Sequence, residues 1–149
     1  MSLPGVLDGE VRRFVYQATI ASGTVPLSAA VADALGAGAD QVRASFERLA
    51  EAHVLVLQRD TREILMAMPF SAVPTPFVAT VGATKYFANC AWDALGIPAM
   101  LGRDARIVTT CGCCTNAMTL DVAAGGLRGE GVVHFAVPAR RFWDNIVFT

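Results

Sequence analysis

The chain has 149 residues, of which 54% are hydrophobic and 17% charged, and its formal net charge is -1. This composition excludes a disordered chain and supplies enough apolar surface for a buried core. It offers no basic excess to hold a nucleic-acid backbone or an anionic membrane, so neither DNA nor a membrane is an expected partner.

The segment Met1–Glu10 lacks the basic stretch, apolar run and small-residue cleavage site of a secretory leader. No apolar stretch is long enough to span a bilayer, and the expected location is the cytoplasm. From Asp8, read as an N-cap, Val11, Phe14, Val15 and Ala18 share one helical face up to residue 22. Leu27, Val31 and Leu35 repeat the pattern between Pro26 and the breakers Gly36 and Gly38. Asp40 opens a third helix, reaching Ala52, with Val42, Phe46 and Leu49 inward. Val54–Gln58 and Glu63–Ala67, separated by the polar Arg59–Arg62, read as a hairpin. Three helices and a two-stranded wing give residues 1–72 a winged-helix order. Arg43 and Arg48 on the third helix are matched by Asp40, Glu47 and Glu51. With so little net attraction for phosphates, this module reads as a packing platform in preference to a DNA reader.

Val73-Pro-Thr-Pro76 marks a boundary, and residues 77–149 form a second, strand-rich module. The expected elements are a strand at Phe77–Val81, a helix from Tyr86 to Leu95 stopped by Gly96 and Pro98, and a strand at Ala105–Thr109. Further strands are expected at Ala117–Val122, Gly131–Val137 and Asn145–Thr149, with Gly125, Gly126 and Gly129 in a turn. The fold class is α+β.

Cys90 and Asp93 stand three residues apart within the expected helix, which puts a thiol and a carboxylate on one face. Cys90 reads either as a small core side chain or as a nucleophile with a proton carrier beside it. Lys85, Arg103 and Arg106 are the candidate partners for Asp93. Cys111, Cys113 and Cys114 follow a strand and flank Gly112, where the backbone can turn tightly. They read as a thiolate cluster for mercury, Cu(I) or Zn(II), or as one structural cysteine with two loop thiols. His53 and His134 have no motif around them and read as structural. Phosphate loops, serine nucleophile elbows and H-E-x-x-H pairs are absent from the sequence.

The run Tyr86-Phe-Ala-Asn-Cys90-Ala-Trp-Asp93-Ala-Leu-Gly-Ile-Pro98-Ala-Met-Leu-Gly-Arg103, followed by Ala105–Cys111, resembles the core of the organomercurial (alkylmercury) lyase family. The similarity continues more weakly through Met118–Val122, and the order of the N-terminal elements is similar to that family's first module. The resemblance implies protonolysis of a carbon–mercury bond by two cysteines and one aspartate, with Cys90 and Asp93 as two of the three. It implies that Cys111 is structural, that mercury is substrate and product, and that a thiol reductant is a partner with no other cofactor required. The family's second catalytic cysteine would come just after the segment similar to Arg141–Thr149, where this sequence stops. The chain therefore reads as a shortened form of a longer protein, or as one in which Cys113 or Cys114 takes that cysteine's place. The alternatives are a non-catalytic thiol metal binder joining Cys90 to Cys111, Cys113 and Cys114, for mercury, copper or zinc, and a metal-sensing winged-helix regulator.

Overall fold

The computed structural model describes residues 5–148. Helices α1 (Val6–Ser22), α2 (Ser28–Leu35) and α3 (Ala39–Glu51) come first, followed by short strands β1 (Val56–Leu57), β2 (Ile64–Ala67) and β3 (Phe70–Ser71) in one antiparallel sheet. Strands β4 (Val78–Val81) and β5 (Thr84–Phe87), helix α4 (Ala91–Leu101), and strands β6 (Ala105–Thr110), β7 (Ala117–Ala123) and β8 (Gly126–Arg128) follow. The second sheet is antiparallel throughout, in the order β5-β4-β6-β7-β8. The expected α+β class is what the chain adopts. Among the described residues, no helix is long and apolar enough to cross a membrane.

The three N-terminal helices follow their apolar periodicity: Val11 and Val15, Val31, and Val42, Phe46 and Leu49 are all buried. Asp8 is not the N-cap, which is Gly5; it lies in the first turn of α1 and is buried. Its carboxylate accepts the Gly5 amide at 2.9 Å, Arg48 Nε at 2.9 Å and Arg48 Nη2 at 2.6 Å, which ties α1 to α3 through a bidentate ion pair. On the same helix Glu47 pairs with Arg62.

The two halves share one core. Buried Val11, Val15 and Phe46 belong to the same apolar cluster as Phe70, Ala79, Tyr86, Ile97 and Ile107. The Tyr86 hydroxyl donates to the Ile20 carbonyl at 2.7 Å, and a lone bridge between Phe70 and Ala88 joins the edge of the first sheet to the second. Gly23 ends α1 with a positive φ where it touches β5, and a Cβ there would collide with the Lys85 carbonyl. The ring of Phe70 contacts both Tyr16 and Tyr86, with centroids 6.4 and 5.3 Å apart.

Three expectations about the second module are corrected. Residues 86 and 87 belong to a strand, because Thr84–Phe87 pairs residue by residue with Val78–Val81, and the helix starts at Ala91. That helix does not stop at Gly96 or Pro98 but runs to Leu101. Gly96 sits 3.7 Å from the Pro69 side chain, measured from an ideal Cβ, and Ala94, Ile97 and Pro98 are buried; this packing outweighs the hydrogen bond that Pro98 cannot make. Finally, residues 131–137 are not a strand, and residues 145–148, which follow a 3₁₀ helix (Ala139–Asp144), form a bend and turn where a strand was expected. Gly129 and Gly131 adopt φ values of 132° and 156°, which turn the chain away before it can pair with β8. Thr149, the end of that expected strand, and Met1–Pro4 lie outside the described residues.

The Arg48 hydrogen bonds, opposed by burial and aided by the Gly5 amide, lower the Asp8 pKa from 3.8 to about 2. A depressed carboxylate stabilises the fold above its unfolded pKa, and that contribution disappears as the pH falls through the folded value. Asp8→Asn is expected to lower unfolding free energy near neutral pH by about 1 to 2 kcal/mol, the range reflecting the solvent-facing side of Arg48. In denaturant titrations the gap between the two proteins should close as the pH falls from 3.8 toward about 2; a gap independent of pH would show that the carboxylate's charge is not its origin.

Candidate active site

Strand β5 carries the chain in extended form to Ala88, where the bridge to Phe70 fixes it. Asn89 and Cys90 then lead into α4, and Cys90 is the N-cap of the helix, not a residue within it. That position changes its chemistry. An N-cap side chain faces the unpaired amides of the first turn, and the Asp93 amide donates to Cys90 Sγ at 3.4 Å. Charge that develops on the sulfur therefore meets the positive end of the helix.

Asp93, in the first turn of α4, is half-buried and needs a donor. That donor is Asn89, and neither Lys85, Arg103 nor Arg106: Asn89 Nδ2 lies 3.1 Å from Asp93 Oδ2, while Arg106 is held by Asp121 across the strand at 2.9 Å. The same Asn89 amide lies 3.3 Å from the carbonyls of Pro69 and Phe70. Three oxygens surround one NH2 group, so only the amide nitrogen fits there; the opposite orientation would set the Asn89 oxygen against three acceptors. Its Oδ1 is buried without a hydrogen-bond partner among the described residues. Nearby, the Tyr16 hydroxyl of α1 donates to the Met68 carbonyl at 2.9 Å. Burial raises the pKa of the Tyr16 phenol, and the nearby Asp93 charge adds to the rise.

Burial is also the main cause that raises the pKa of Asp93, against the hydrogen bonds from Asn89 and the Cys90 thiol. For Cys90 burial again leads, and the Asp93 charge and thiol–carboxylate hydrogen bond push the same way, while the amides of Asp93 and Trp92 oppose them. Both groups thus hold a proton more tightly than they would in water. The two groups that stand three residues apart in sequence therefore lie together at the start of α4.

The other expected site residues lie elsewhere. Cys111 is half-buried, Cys113 and Cys114 are exposed at the turn between β6 and β7, and all four cysteines are free thiols. Among the described residues no group of three or more His, Cys, Asp and Glu side chains is placed to hold a metal ion. The structure therefore does not gather Cys90, Cys111, Cys113 and Cys114 into one metal-binding set. His53 stacks on Trp143 with ring centroids 4.0 Å apart, and His134 is exposed. Trp92, one turn-residue before Asp93, packs edge-on against Phe135, and with Phe142, Val137 and Pro138 lines an open apolar cavity of about 520 Å³.

Asn89 was the residue that sequence reasoning missed, although its i,i+4 spacing to Asp93 was a signal. Tyr16 and the Pro69 and Phe70 carbonyls had none, since they approach only through folding. In a chain whose Cys111, Cys113 and Cys114 are serine, Asp93→Asn is expected to speed alkylation of Cys90 at about pH 8, because removing the charge lets the thiolate form more readily. A rate that is unchanged or slower, measured over a pH series, would show that Asp93 does not control the thiol.

The family model for MerB, alkylmercury lyase, matches residues 70–149. A solved structure titled "Crystal structure of the mercury-bound form of MerB2" superimposes with a TM-score of 0.64 at 23% identity, covering 85% of this chain and 60% of that one. At that identity the likeness is one of fold, and this chain spans 60% of the length of its structural relative. Comparison with curated proteins gave no match. With more than half of its length matched by the family model, and with the segment bearing Cys90 and Asp93 inside that match, the chain belongs to the alkylmercury lyase family.

Proposed function

We propose that the protein is an organomercurial lyase that cleaves a carbon–mercury bond by protonolysis, with Cys90 as nucleophile and Asp93 as proton carrier. The observation that carries this reading is Cys90 at the N-cap of α4, its sulfur accepting the amide of Asp93 at 3.4 Å, with the half-buried Asp93 carboxyl raised in pKa by burial.

The residues account for the steps as follows. Cys90 bonds to mercury of an R–Hg–thiolate substrate as its proton passes to Asp93; the first-turn amides of α4 and the soft metal stabilise the sulfur. Protonated Asp93 then delivers that proton to the carbon as the carbon–mercury bond breaks. The balance is Cys90–SH plus R–Hg–SR′ giving Cys90–S–Hg–SR′ plus R–H. Mercury is substrate and product, the second sulfur comes from the partner thiol, and no other cofactor takes part. Asn89 is a positioning residue: it aims the Asp93 carboxyl and limits how far its pKa climbs. The apolar cavity beside Trp92 suits an organic substituent. In this reading residues 77–149 carry the chemistry, residues 1–72 are a winged-helix-like packing platform, and the reaction belongs in the cytoplasm, where thiols remain reduced.

Headspace hydrocarbon from an organomercurial with excess thiol tests the proposal. Cys90→Ser and Asp93→Asn are each expected to reduce release by at least about 10²-fold, the usual contribution of a proton-transferring group. Full-rate release by either variant would refute the assignment.

A further inference from the structure

We propose that the tip of the β6–β7 hairpin is a second, separate soft-metal site, in which Cys111 and Cys114 grip a two-coordinate mercuric ion. The pair stands at C-x-x-C spacing within Cys111-Gly-Cys113-Cys114. The hairpin closes the turn around it. The Cys111 amide donates to the Asn116 carbonyl at 2.8 Å, the Thr115 amide donates to the Cys111 carbonyl at 2.9 Å, and Thr115 takes a φ of 59° to complete the return. Below the tip, Thr110 pairs with Ala117 and the ladder continues without a break to Ala105 and Val122, so the turn stands on a rigid base.

The bond from the Thr115 amide to the Cys111 carbonyl closes a five-residue turn, so the backbone of Cys114 returns toward that of Cys111. Cys111 is half-buried, and Cys113 and Cys114 are exposed. Neither Cys111 nor Cys114 is tied up in a disulfide, so both thiols are free to bind a metal.

Ligand number selects the ion. Among the described residues no third His, Cys, Asp or Glu joins the pair, which falls short of the tetrahedral set that zinc takes in protein sites. Two thiolates suit a soft ion content with linear coordination. Binding forms two S–Hg bonds and releases the two thiol protons, with no oxidant or reductant. The site needs nothing from Cys90, so it stands or falls independently of the lyase reading.

The test uses the full chain carrying Cys90→Ser, loaded anaerobically with inorganic Hg(II) and washed with excess monothiol, so that only chelated mercury stays. Retained metal is counted by mass spectrometry of the native protein, and thiolate–mercury charge transfer is read in the near ultraviolet. One mercury per chain is expected, with retention falling on the order of 10²-fold on adding Cys111→Ser or Cys114→Ser, as loss of a chelating partner predicts, and unchanged on adding Cys113→Ser. Retention that survives Cys111→Ser or Cys114→Ser, loss in Cys113→Ser, or no mercury held by the Cys90→Ser chain would each overturn the proposal. Tighter retention of Cu(I) than of Hg(II) in the same wash would overturn the choice of ion.

Discussion

A half-buried carboxylate must be given a hydrogen-bond donor, and the way this protein supplies one to Asp93 governs the arrangement of its centre. The donor, Asn89, is not on α4; it lies at the end of an extended segment and shares its amide with the carbonyls of Pro69 and Phe70. Those carbonyls belong to the β2–β3 turn and to β3 of the first sheet, whereas Asn89 follows a strand of the second. The carboxyl is thus oriented only when the two sheets meet, as they do at the bridge between Phe70 and Ala88. Packing of Phe70 against Tyr16 and Tyr86 reinforces that meeting point. The site sits on a seam, and the seam is made of core residues from both halves.

This arrangement explains why the N-terminal helices matter to a centre they do not enter. Tyr86 reaches back to the carbonyl of Ile20 in α1, and Tyr16 of the same helix reaches the carbonyl of Met68 next to the site. Helix α1 is in turn locked to α3 by Asp8 and Arg48. The link uses an arginine on the helix that a winged-helix DNA reader would place in a groove. Engaged with a buried aspartate, Arg48 serves packing instead.

The electrostatics of the centre follow from burial more than from pairing. No cation stands among the groups that shift Asp93 or Cys90, so both keep a raised affinity for protons. In water such a pair would be a poor nucleophile and an unremarkable acid. In the proposed reaction, beside a metal that bonds strongly to sulfur, the same features would become an advantage, since the proton displaced from the thiol would have a ready acceptor.

Much of this was legible in the sequence because it is written in local periodicity and spacing. The apolar faces of α1, α2 and α3, the alternation in β6, the α+β order and the pairing of Cys90 with Asp93 each depend on residues a few positions apart, where side-chain direction follows from backbone geometry alone. The family resemblance rested on the same continuous segment. What the tertiary structure decided involved distant partners. Asp8 belongs to Arg48 and not to a cap, Asn89 and not a basic residue answers Asp93, and Cys90 caps α4 because β5 pairs with β4 up to the residues before it. The residues from Gly131 onward carry strand-like composition, yet the backbone turns at Gly129 and Gly131 leave them without a strand to pair with. A strand or a buried charge is completed by a partner, and the partner's position is known only once the chain has folded.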